Sequence, residues 1–206
     1  MNQQILLLMV PVSYLIGSIP VGLIIGKLKA GIDIRKHGSQ STGATNALRI
    51  LGTKSAILVL ILDFLKGAIP IFCLSLVDEI NSNNAIFTAI CGIAIIFGHN
   101  WPIFAGFKGG KGVASAVGIA TVLNPLSALA AILTFLPILF ITKYVSLGSI
   151  LGAIIAMIIL VIQSISVTND YNYLYALIVG PLLVVKHHEN IGRLLKGNEN
   201  KFGEKV

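Results

Sequence analysis

Long stretches of this sequence contain no charged residue, and they constrain the fold more than any other feature. Residues 1–26 precede the first charge, at Lys27, and residues 85–107 and 113–142 are also uncharged. Only 11 % of the chain is charged, less than half of the roughly one quarter that is usual in soluble domains. A water-soluble domain is therefore excluded, and so is a disordered chain, since disorder requires low hydrophobicity and high charge. The sequence predicts an all-α polytopic membrane protein.

The apolar stretches predict about seven transmembrane helices in a single integral-membrane domain that covers residues 1–206. Residues 1–26 lack the basic start and the cleavage site of a secretory signal, so we expect the first helix to be retained. A crossing of the bilayer core, about 30 Å thick, needs roughly 20 residues. The fourth stretch has only about 11, and we expect it to be tilted or re-entrant. The predicted spans are residues 5–26, 55–77, 85–107, 113–123, 125–142, 145–163 and 171–185.

The charged residues are distributed very unequally over the two faces of this arrangement. One face holds 14 of the 15 Lys and Arg residues, in the segments 27–54, 108–112, 143 and 186–206. The opposite face carries acids and no base. Because basic residues are retained in the cytoplasm, this distribution predicts the N-terminus outside and the C-terminus in the cytoplasm. The net charge of +7 is then an orientation signal and does not indicate a nucleic-acid partner.

Two features inside the predicted spans have a structural interpretation. Asp63 and Lys66 are three residues apart and share one helix face. Ionisable residues in spans are often functional, but a mutually neutralising structural pair is favoured here. Cys73 and Cys91 lie in apolar stretches and lack the spacing of a metal site. We therefore expect both to pack as small apolar side chains. With no cluster of metal ligands, the sequence predicts no metal and no cofactor.

Three polar segments on the predicted cytoplasmic face have compositions suited to anions. The first covers residues 33–49, and its part at 38–49 reads Gly-Ser-Gln-Ser-Thr-Gly-Ala-Thr-Asn-Ala-Leu-Arg. Small residues let the backbone approach a ligand closely, and its N–H groups can bind phosphate oxygens. Residues 43–49 are expected to begin a short helix whose N-terminus favours an anion. A flexible hydroxyl-rich loop is equally compatible with this composition.

The second segment, residues 98–112, has four glycines around Lys108 and Lys111 at the start of a predicted helix. This composition suits a phosphate-binding loop. It does not fit a Walker A loop, because that pattern needs Gly at Ala105 and Ser or Thr at Gly112. ATP hydrolysis is therefore not supported. A glycine turn with two orienting lysines is the alternative, and it explains the charges but not the number of glycines.

The third segment, residues 186–193, follows the last predicted span. Spacings of three and four would place His187, Asn190 and either Arg193 or Lys186 on one helix face. A histidine there could act as a base, an acid or a hydrogen-bond donor to phosphate. The alternative for a basic helix next to a membrane is an anchor to lipid headgroups.

Two neighbouring stretches complete the predicted face. Ser146 and Ser149, close to Lys143, could line the same site. Alternatively, they could be polar residues at the start of a helix with a purely structural role. The tail, residues 196–206, alternates in charge and is expected to be solvated.

Together these segments resemble the bacterial membrane glycerol-3-phosphate acyltransferases that use acyl-phosphate donors, the PlsY family. The resemblance covers nearly the whole chain, from Gly17-Ser18-Ile19-Pro20 to the tail, and its most specific part is GHNWPIFAGFKGGKGVA at 98–114. The first segment departs from the family, which often reads Gly-Ser-Gly-Asn where this chain has Gly-Ser-Gln-Ser at 38–41. Gly-Ala-Thr-Asn at 43–46 and Arg49 remain.

The resemblance implies transfer of a long-chain acyl group from acyl phosphate to the 1-hydroxyl of sn-glycerol 3-phosphate. The products would be lysophosphatidate and phosphate, in the first acylation step of phospholipid synthesis. The implied catalytic residues are Ser39, His187 and Asn190, and either His187 or a substrate phosphate could be the base. The residues implied to bind the substrates are Gly38, Thr42, Gly43, Asn46, Arg49, Lys108, Gly109, Gly110, Lys111, Gly112, Ser146, Ser149 and Arg193.

The implied partners are acyl phosphate, glycerol 3-phosphate, membrane lipid and the enzyme that makes acyl phosphate. The implied location is a bacterial plasma membrane, with the active site on the cytoplasmic face. A transporter would carry polar residues along a whole path and an internal repeat, and the sequence has neither. The His-x4-Asp pattern of other acyltransferases is absent, as is a Gly-x-Ser-x-Gly elbow. A non-catalytic scaffold would not need three glycine- and cation-rich loops.

Overall fold

The computed structural model describes residues 3–78, 85–168 and 170–203. Within these residues the regular structure is helical, with no β-strand. The ten α-helices of the described residues are α1 (Gln3–Gly17), α2 (Val21–Ala30), α3 (Ala44–Leu51), α4 (Thr53–Asp78), α5 (Ala85–Asn100), α6 (Val113–Leu123), α7 (Pro125–Thr142), α8 (Val145–Gln163), α9 (Asn172–Lys186) and α10 (His188–Leu195).

Several of these helices are suited to cross a membrane. Among the described residues, α6 with 11 residues and α9 with 15 are apolar but shorter than a usual span. The prediction of an all-helical, multi-pass membrane protein is confirmed. Seven crossings would require α6 and α9 to span as well, and this count and the direction of insertion stay predictions. The segments long and apolar enough to cross are Leu8–Ala30, Thr53–Leu76, Ile86–Ala105, Pro125–Thr142 and Val145–Thr168.

The first predicted span is not one continuous helix, which corrects the prediction for residues 5–26. Helix α1 ends at Gly17 and α2 begins at Val21. Pro20 lacks an N–H donor and disfavours a helical conformation at the preceding residue, so the chain breaks there although it stays apolar. Lys27, predicted to begin a polar loop, lies in the last turn of α2 instead.

Glycines set how closely neighbouring helices approach. A Cβ atom on Gly67 of α4 would collide with the carbonyl oxygen of Ser115 in α6, and one on Gly118 of α6 would collide with that of Phe64 in α4. Close packing through small residues is the usual way in which transmembrane helices associate. This contact fixes the start of α6, and with it the glycine-rich segment before α6, against α4.

Helix α5 lies at the centre of the apolar core. Cys91, Ile95 and Ile96 of α5 are fully buried against residues of α4, α6, α8 and α9. The packing role predicted for Cys91 is confirmed, but Cys73 is exposed on α4, so that prediction is wrong for Cys73.

The polar turns predicted on the opposite face lie partly outside the described residues. Of the turn at residues 78–84, only Asp78 is described, and it ends α4. In the turn predicted at residues 164–170, Ser164–Thr168 forms a π-helical turn that continues α8, and residue 169 lies outside the described residues.

Candidate functional site

A cavity of about 720 Å³ begins among the polar loops and continues between α4, α6, α7, α8 and α9. We call its loop side the polar end, which is lined by Ser39, Arg49, Lys111, Ser146, His187, Asn190 and Glu199. We call the rest the apolar arm, which is lined mostly by aliphatic side chains such as Leu60, Ala131 and Leu183. One continuous cavity therefore joins a charged compartment to an apolar one.

Asn46 holds the first loop in its folded path. Its Nδ2 donates to the carbonyl oxygens of Ile34 at 2.9 Å, His37 at 3.2 Å and Ser41 at 2.9 Å. Its Oδ1 accepts a bond of 2.9 Å from the backbone N–H of Ser39. The side chain is 1 % exposed, and these bonds satisfy a buried amide. Asn46 therefore fixes Ser39 at the mouth of the cavity.

The first loop leads directly into α3. Gly43 is the N-cap residue of this helix, which confirms the predicted helix start at 43–49. Arg49 lies on α3 and lines the polar end. Gln40, where the resembled family often has glycine, has a φ of 55°. This is the left-handed region, which costs a residue with a side chain about 1–2 kcal/mol, so the loop keeps the path of a glycine at this position.

The second loop rests on His99. A Cβ atom on Gly109 would collide with the carbonyl oxygen of His99, and one on Gly110 would collide with its imidazole Nε2. The backbone N–H of Gly110 donates to the same carbonyl at 3.1 Å. Gly112 caps α6 with a φ of 87°, a conformation that glycine adopts without strain. Only glycines permit this path, which brings Lys111 to the cavity wall.

A buried charge cluster lies behind the second loop. Lys66 Nζ is 2.8 Å from Asp63 Oδ1, and both side chains are buried, which confirms the predicted pair. His99 Nδ1 lies 3.6 Å from the same oxygen. Ser115 Oγ donates to the backbone carbonyl of Asp63 at 2.8 Å. The cluster ties α4, α5 and α6 together directly beneath the glycines.

The tail returns to the polar end, so the prediction of a solvated tail at residues 196–206 is wrong for Glu199. Its Oε1 accepts hydrogen bonds from Ser146 Oγ at 2.8 Å and from Asn190 Nδ2 at 2.6 Å. Its Oε2 accepts one from Arg193 Nε at 2.7 Å. Burial alone would raise the pKa of Glu199, but these hydrogen bonds outweigh it and hold the pKa below its usual value. Glu199 is therefore a charged acceptor that fastens the tail to α8 and α10.

Lys111 connects the second loop to this network, because its Nζ donates to Asn190 Oδ1. Burial lowers the pKa of Lys111 to about 8, and the nearby positive charge of Arg193 acts in the same direction. The ammonium is therefore charged at pH 7 but close to its titration range. Asn190 thus joins a cation on one side to a carboxylate on the other.

His187 contributes a neutral imidazole to the polar end. Its Nδ1 lies 2.7 Å from the carbonyl oxygen of Leu183, and since a carbonyl only accepts, Nδ1 carries the proton and donates. Burial, together with the charge of Lys111, lowers the pKa of His187 to about 4. At pH 7 its Nε2 therefore has a lone pair that can accept a hydrogen bond from a hydroxyl.

The comparisons with known proteins agree with this geometry. The sequence model of the family described as "Glycerol-3-phosphate acyltransferase" matches residues 7–197. The chain belongs to this family. A glycerol-3-phosphate acyltransferase of Halalkalibacterium halodurans is 43 % identical over 199 residues, which cover 96 % of each chain. One of Aquifex aeolicus is 44 % identical over 197 residues, with 95 % of this chain and 98 % of the relative covered.

Solved structures of the same family have the same fold. The glycerol 3-phosphate form of PlsY (YgiH), an integral membrane glycerol 3-phosphate acyltransferase, matches with a TM-score of 0.86 and 41 % identity over 96 % of each chain. Its lysophosphatidic acid form matches with a TM-score of 0.84 and the same identity, over 96 % of this chain and 95 % of that one. The resemblance to PlsY is therefore confirmed, and the chain is an acyltransferase of phospholipid biosynthesis.

In this acyltransferase the residues expected at the site divide into two groups. Ten line the cavity: Ser39, Gly43, Asn46, Arg49, Lys111, Gly112, Ser146, Ser149, His187 and Asn190. Six do not line it: Gly38, Thr42, Lys108, Gly109, Gly110 and Arg193. Lys108 is exposed, so of the two candidate lysines of the second loop only Lys111 reaches the cavity.

Three residues of the second group, Thr42, Gly38 and Arg193, support the cavity wall from behind. Thr42 is buried, and its carbonyl lies so close to Gly22 of α2 that a Cβ atom there would collide with it. Gly38 lies against the amide of Asn46. Arg193 bonds to Glu199. These contacts are made with other groups of the protein, and they hold the two loops and the tail in place.

Glu199 and His99 are two of the polar residues that line the cavity and that the sequence did not assign to the site. Glu199 follows Gly197, whose φ of 69° lets the chain turn back after α10, and this glycine was the available signal. His99 lies inside the second motif, one residue after Gly98. In the described part of the chain, no three His, Cys, Asp or Glu residues come together in a group that could hold a metal ion.

Proposed function

We propose that this acyltransferase transfers a long-chain acyl group from an acyl phosphate to the 1-hydroxyl of sn-glycerol 3-phosphate, giving lysophosphatidate. The observation that carries the proposal is the cavity itself. Its polar end combines two cations, Arg49 and Lys111, with a neutral imidazole, and it is continuous with the apolar arm. A glycerol phosphate fits the first compartment and a fatty acyl chain fits the second.

The polar end offers the groups that two phosphates need. Arg49 and Lys111 supply positive charge, and charge-assisted hydrogen bonds to phosphate are among the stronger ones in proteins. Ser39 and the backbone around Gly43 add hydroxyl and N–H donors at the mouth. In this proposal Asn190 is a positioning residue, because its amide holds the ammonium of Lys111.

The proposed reaction is a direct acyl transfer. The C1 hydroxyl oxygen of glycerol 3-phosphate attacks the carbonyl carbon of the acyl phosphate, and the bond from that carbon to the bridging phosphate oxygen breaks. The ester keeps the attacking oxygen, and the departing phosphate takes the hydroxyl proton. Because the mixed anhydride is already activated, positioning and charge stabilisation suffice for catalysis.

His187 has an orienting role in this scheme. Its Nε2 accepts a hydrogen bond from the attacking hydroxyl, which fixes the direction of attack. Its pKa of about 4 makes it a weaker proton acceptor than a phosphate, whose second pKa is near 6. We therefore assign the proton to the departing phosphate.

The proposal includes a topology and a location. The chain crosses a bacterial plasma membrane seven times, with the N-terminus outside and the three polar segments in the cytoplasm. The excess of Lys and Arg on that face supports this direction. The donor is an acyl phosphate supplied by the enzyme that makes it, and the match of all three motifs to the PlsY family supports this choice.

The test uses the purified protein in detergent with glycerol 3-phosphate and either palmitoyl phosphate or palmitoyl coenzyme A. We expect phosphate release from palmitoyl phosphate that requires glycerol 3-phosphate, and no acylation from the thioester. Phosphate release without glycerol 3-phosphate, or none at all, would contradict the proposal. Acylation from palmitoyl coenzyme A alone would leave the acyl transfer standing and overturn the choice of donor.

A further inference from the structure

The apolar arm of the cavity has a definite depth along α8. On this helix the cavity lining begins at Val145 and Ser146 at the polar end, continues past Ser149, Gly152 and Ala156, and ends at Leu160. At a rise of 1.5 Å per residue, the distance from Ser146 to Leu160 is about 21 Å. A lipid chain spans half of a hydrocarbon core of roughly 30 Å, or about 15 Å. The arm is therefore long enough to hold an entire acyl chain.

The neighbouring helices give the same end point. On α9 the lining of the apolar arm runs from Leu183 to Tyr175, and on α7 it runs from Phe135 to Ser127. On α6 it begins at Gly112 and ends at Ala120. Because α6 and α8 lead away from the polar loops and α7 and α9 lead back to them, these last lining residues lie at one depth.

Just beyond the last lining residues, hydrogen bonds connect the helices that surround the apolar arm. Asn124, in the turn between α6 and α7, donates from Nδ2 to Oε1 of Gln163 at 2.5 Å. Gln163 comes three residues after Leu160, and neither partner lines the cavity. Asn172 Nδ2 donates to the carbonyl of Leu123 at 3.4 Å. These bonds join α6, α7, α8 and α9 below the last apolar residues.

Two large side chains form the end wall above these hydrogen bonds. Leu160 is 2 % exposed and Tyr175 is 4 % exposed. The Tyr175 hydroxyl donates to the carbonyl of Ala116 at 3.3 Å, which fixes its ring. The arm between this wall and the polar end is kept open on α8 by Gly152, Ala153 and Ala156. Met157 also lines the cavity just before Leu160, but its side chain packs toward Gly180 of α9. Beyond Gly152, Ala153 and Ala156, Leu160 is therefore the first branched aliphatic side chain of α8 that the end of an acyl chain would meet.

We propose that Leu160, backed by Tyr175, is the stop that sets the maximum length of the acyl chain that this enzyme transfers. The inference rests on the proposed function, since it concerns the acyl chain of that reaction. A chain that ends above Leu160 buries every methylene in the apolar arm. A longer chain must displace Leu160 or leave methylenes outside the arm, and each methylene left outside weakens binding about fourfold.

The experiment measures kcat/KM with lauroyl, myristoyl, palmitoyl, stearoyl and eicosanoyl phosphates at a fixed concentration of glycerol 3-phosphate. It compares the wild-type enzyme with Leu160→Ala and Ala156→Leu. Leu151→Ala is the matched control, because Leu151 lies on the same helix, is exposed and does not line the cavity. Ala156→Leu moves the stop by four residues, about 6 Å nearer the polar end.

For each enzyme, kcat/KM with the longest donor that the wild type accepts is divided by kcat/KM with the next longer donor. In Leu160→Ala this ratio should fall by at least about fourfold, because one more methylene fits in the arm. For Ala156→Leu we expect the ratio of palmitoyl to lauroyl phosphate to fall more than about tenfold, since several methylenes are displaced. The profile of Leu151→Ala should match wild type.

If both cavity variants transfer acyl groups with the wild-type profile, the inference is overturned. If wild-type enzyme transfers none of the donors, the proposed function has failed instead. Should Leu160→Ala not fold, the shift in Ala156→Leu alone decides.

Discussion

The amide of Asn190 donates a hydrogen bond of 2.6 Å to the carboxylate of Glu199, and through this bond the tail becomes part of the polar end of the cavity. The same amide accepts a hydrogen bond from Lys111. Asn190 of α10 therefore joins the glycine-rich second loop to the tail. The composition of this tail is that of a solvated segment. The cation that we propose for phosphate binding thus depends on the fold of the last ten residues that the structure describes.

Glu199→Ala is expected to lower the thermal stability of the protein. It leaves Ser146, Asn190 and Arg193 without their shared acceptor, and hydrogen bonds to charged groups contribute about 1.5–3 kcal/mol. A loss of about 2 kcal/mol corresponds to a Tm that is lower by about 4–8 °C in a chain of this size, measured by thermal unfolding in detergent. The matched control is Glu189→Ala, which removes the other carboxylate near Arg193. That pair is 3.9 Å apart and exposed, so its loss should leave the Tm unchanged. Equal effects of the two substitutions would contradict the assignment.

Arg49→Ala is expected to raise the KM for glycerol 3-phosphate at least tenfold with little change in the fold, because a charge-assisted bond to phosphate is lost. The measurement is initial rate against glycerol 3-phosphate concentration, with thermal unfolding as the test of folding. Lys36→Ala is the control, since it removes an exposed positive charge from the turn that precedes the first loop. Unchanged kinetics in Arg49→Ala would remove this residue from the site.

Gln40→Gly is expected to stabilise the protein by up to about 1 kcal/mol, which is a rise in Tm of about 2–4 °C. Gln40 has a φ of 55°, which a residue with a side chain adopts at a cost and glycine adopts freely. The opposite change is available in the same loop. Gly38→Ala should destabilise, because Gly38 has a φ of 57° and an added Cβ would press on the Asn46 amide. A lower Tm in Gln40→Gly would show that the backbone at this position is not strained.

The alkaline side of the pH profile is expected to report Lys111. Burial lowers its pKa to about 8, and a lysine is charged below its pKa. The value of kcat/KM for glycerol 3-phosphate, which reports groups of the free enzyme, should therefore decline as the pH rises through about 8. In Lys111→Arg the guanidinium stays charged, so this decline should disappear even if the absolute rate is lower. An identical alkaline decline in both proteins would assign it to another group. As the pH falls, His187 should stay neutral until the pH approaches its pKa of about 4.

The sequence predicted the parts of the site whose signals are local. Gly43 before a short helix, and Lys111 within a run of glycines, carry their chemistry in neighbouring residues. The buried pairing of Asp63 with Lys66 could equally be predicted, because residues three apart are neighbours on the surface of a helix and opposite charges there attract.

The parts that the sequence missed depend on contacts between distant segments. Glu199 is buried because the tail folds back, and the backbone N–H of Phe202 donates to the carbonyl of Lys143 at 2.7 Å. No local pattern in the tail encodes that contact. The break at Pro20 has a different cause, because proline interrupts the helix where the apolar character of the sequence continues without a change.

The measurement that tests the account most directly is the product balance of the purified enzyme with palmitoyl phosphate and glycerol 3-phosphate. Lysophosphatidate is quantified by mass spectrometry and phosphate by a release assay, for the wild type and for His187→Ala. The thermal unfolding curves of the two proteins are compared to show that the variant is folded. The account predicts one lysophosphatidate for each phosphate in the wild type, and a rate at least tenfold lower in His187→Ala, which lacks the group that orients the hydroxyl. Phosphate release without lysophosphatidate, or undiminished acylation in His187→Ala, would contradict it.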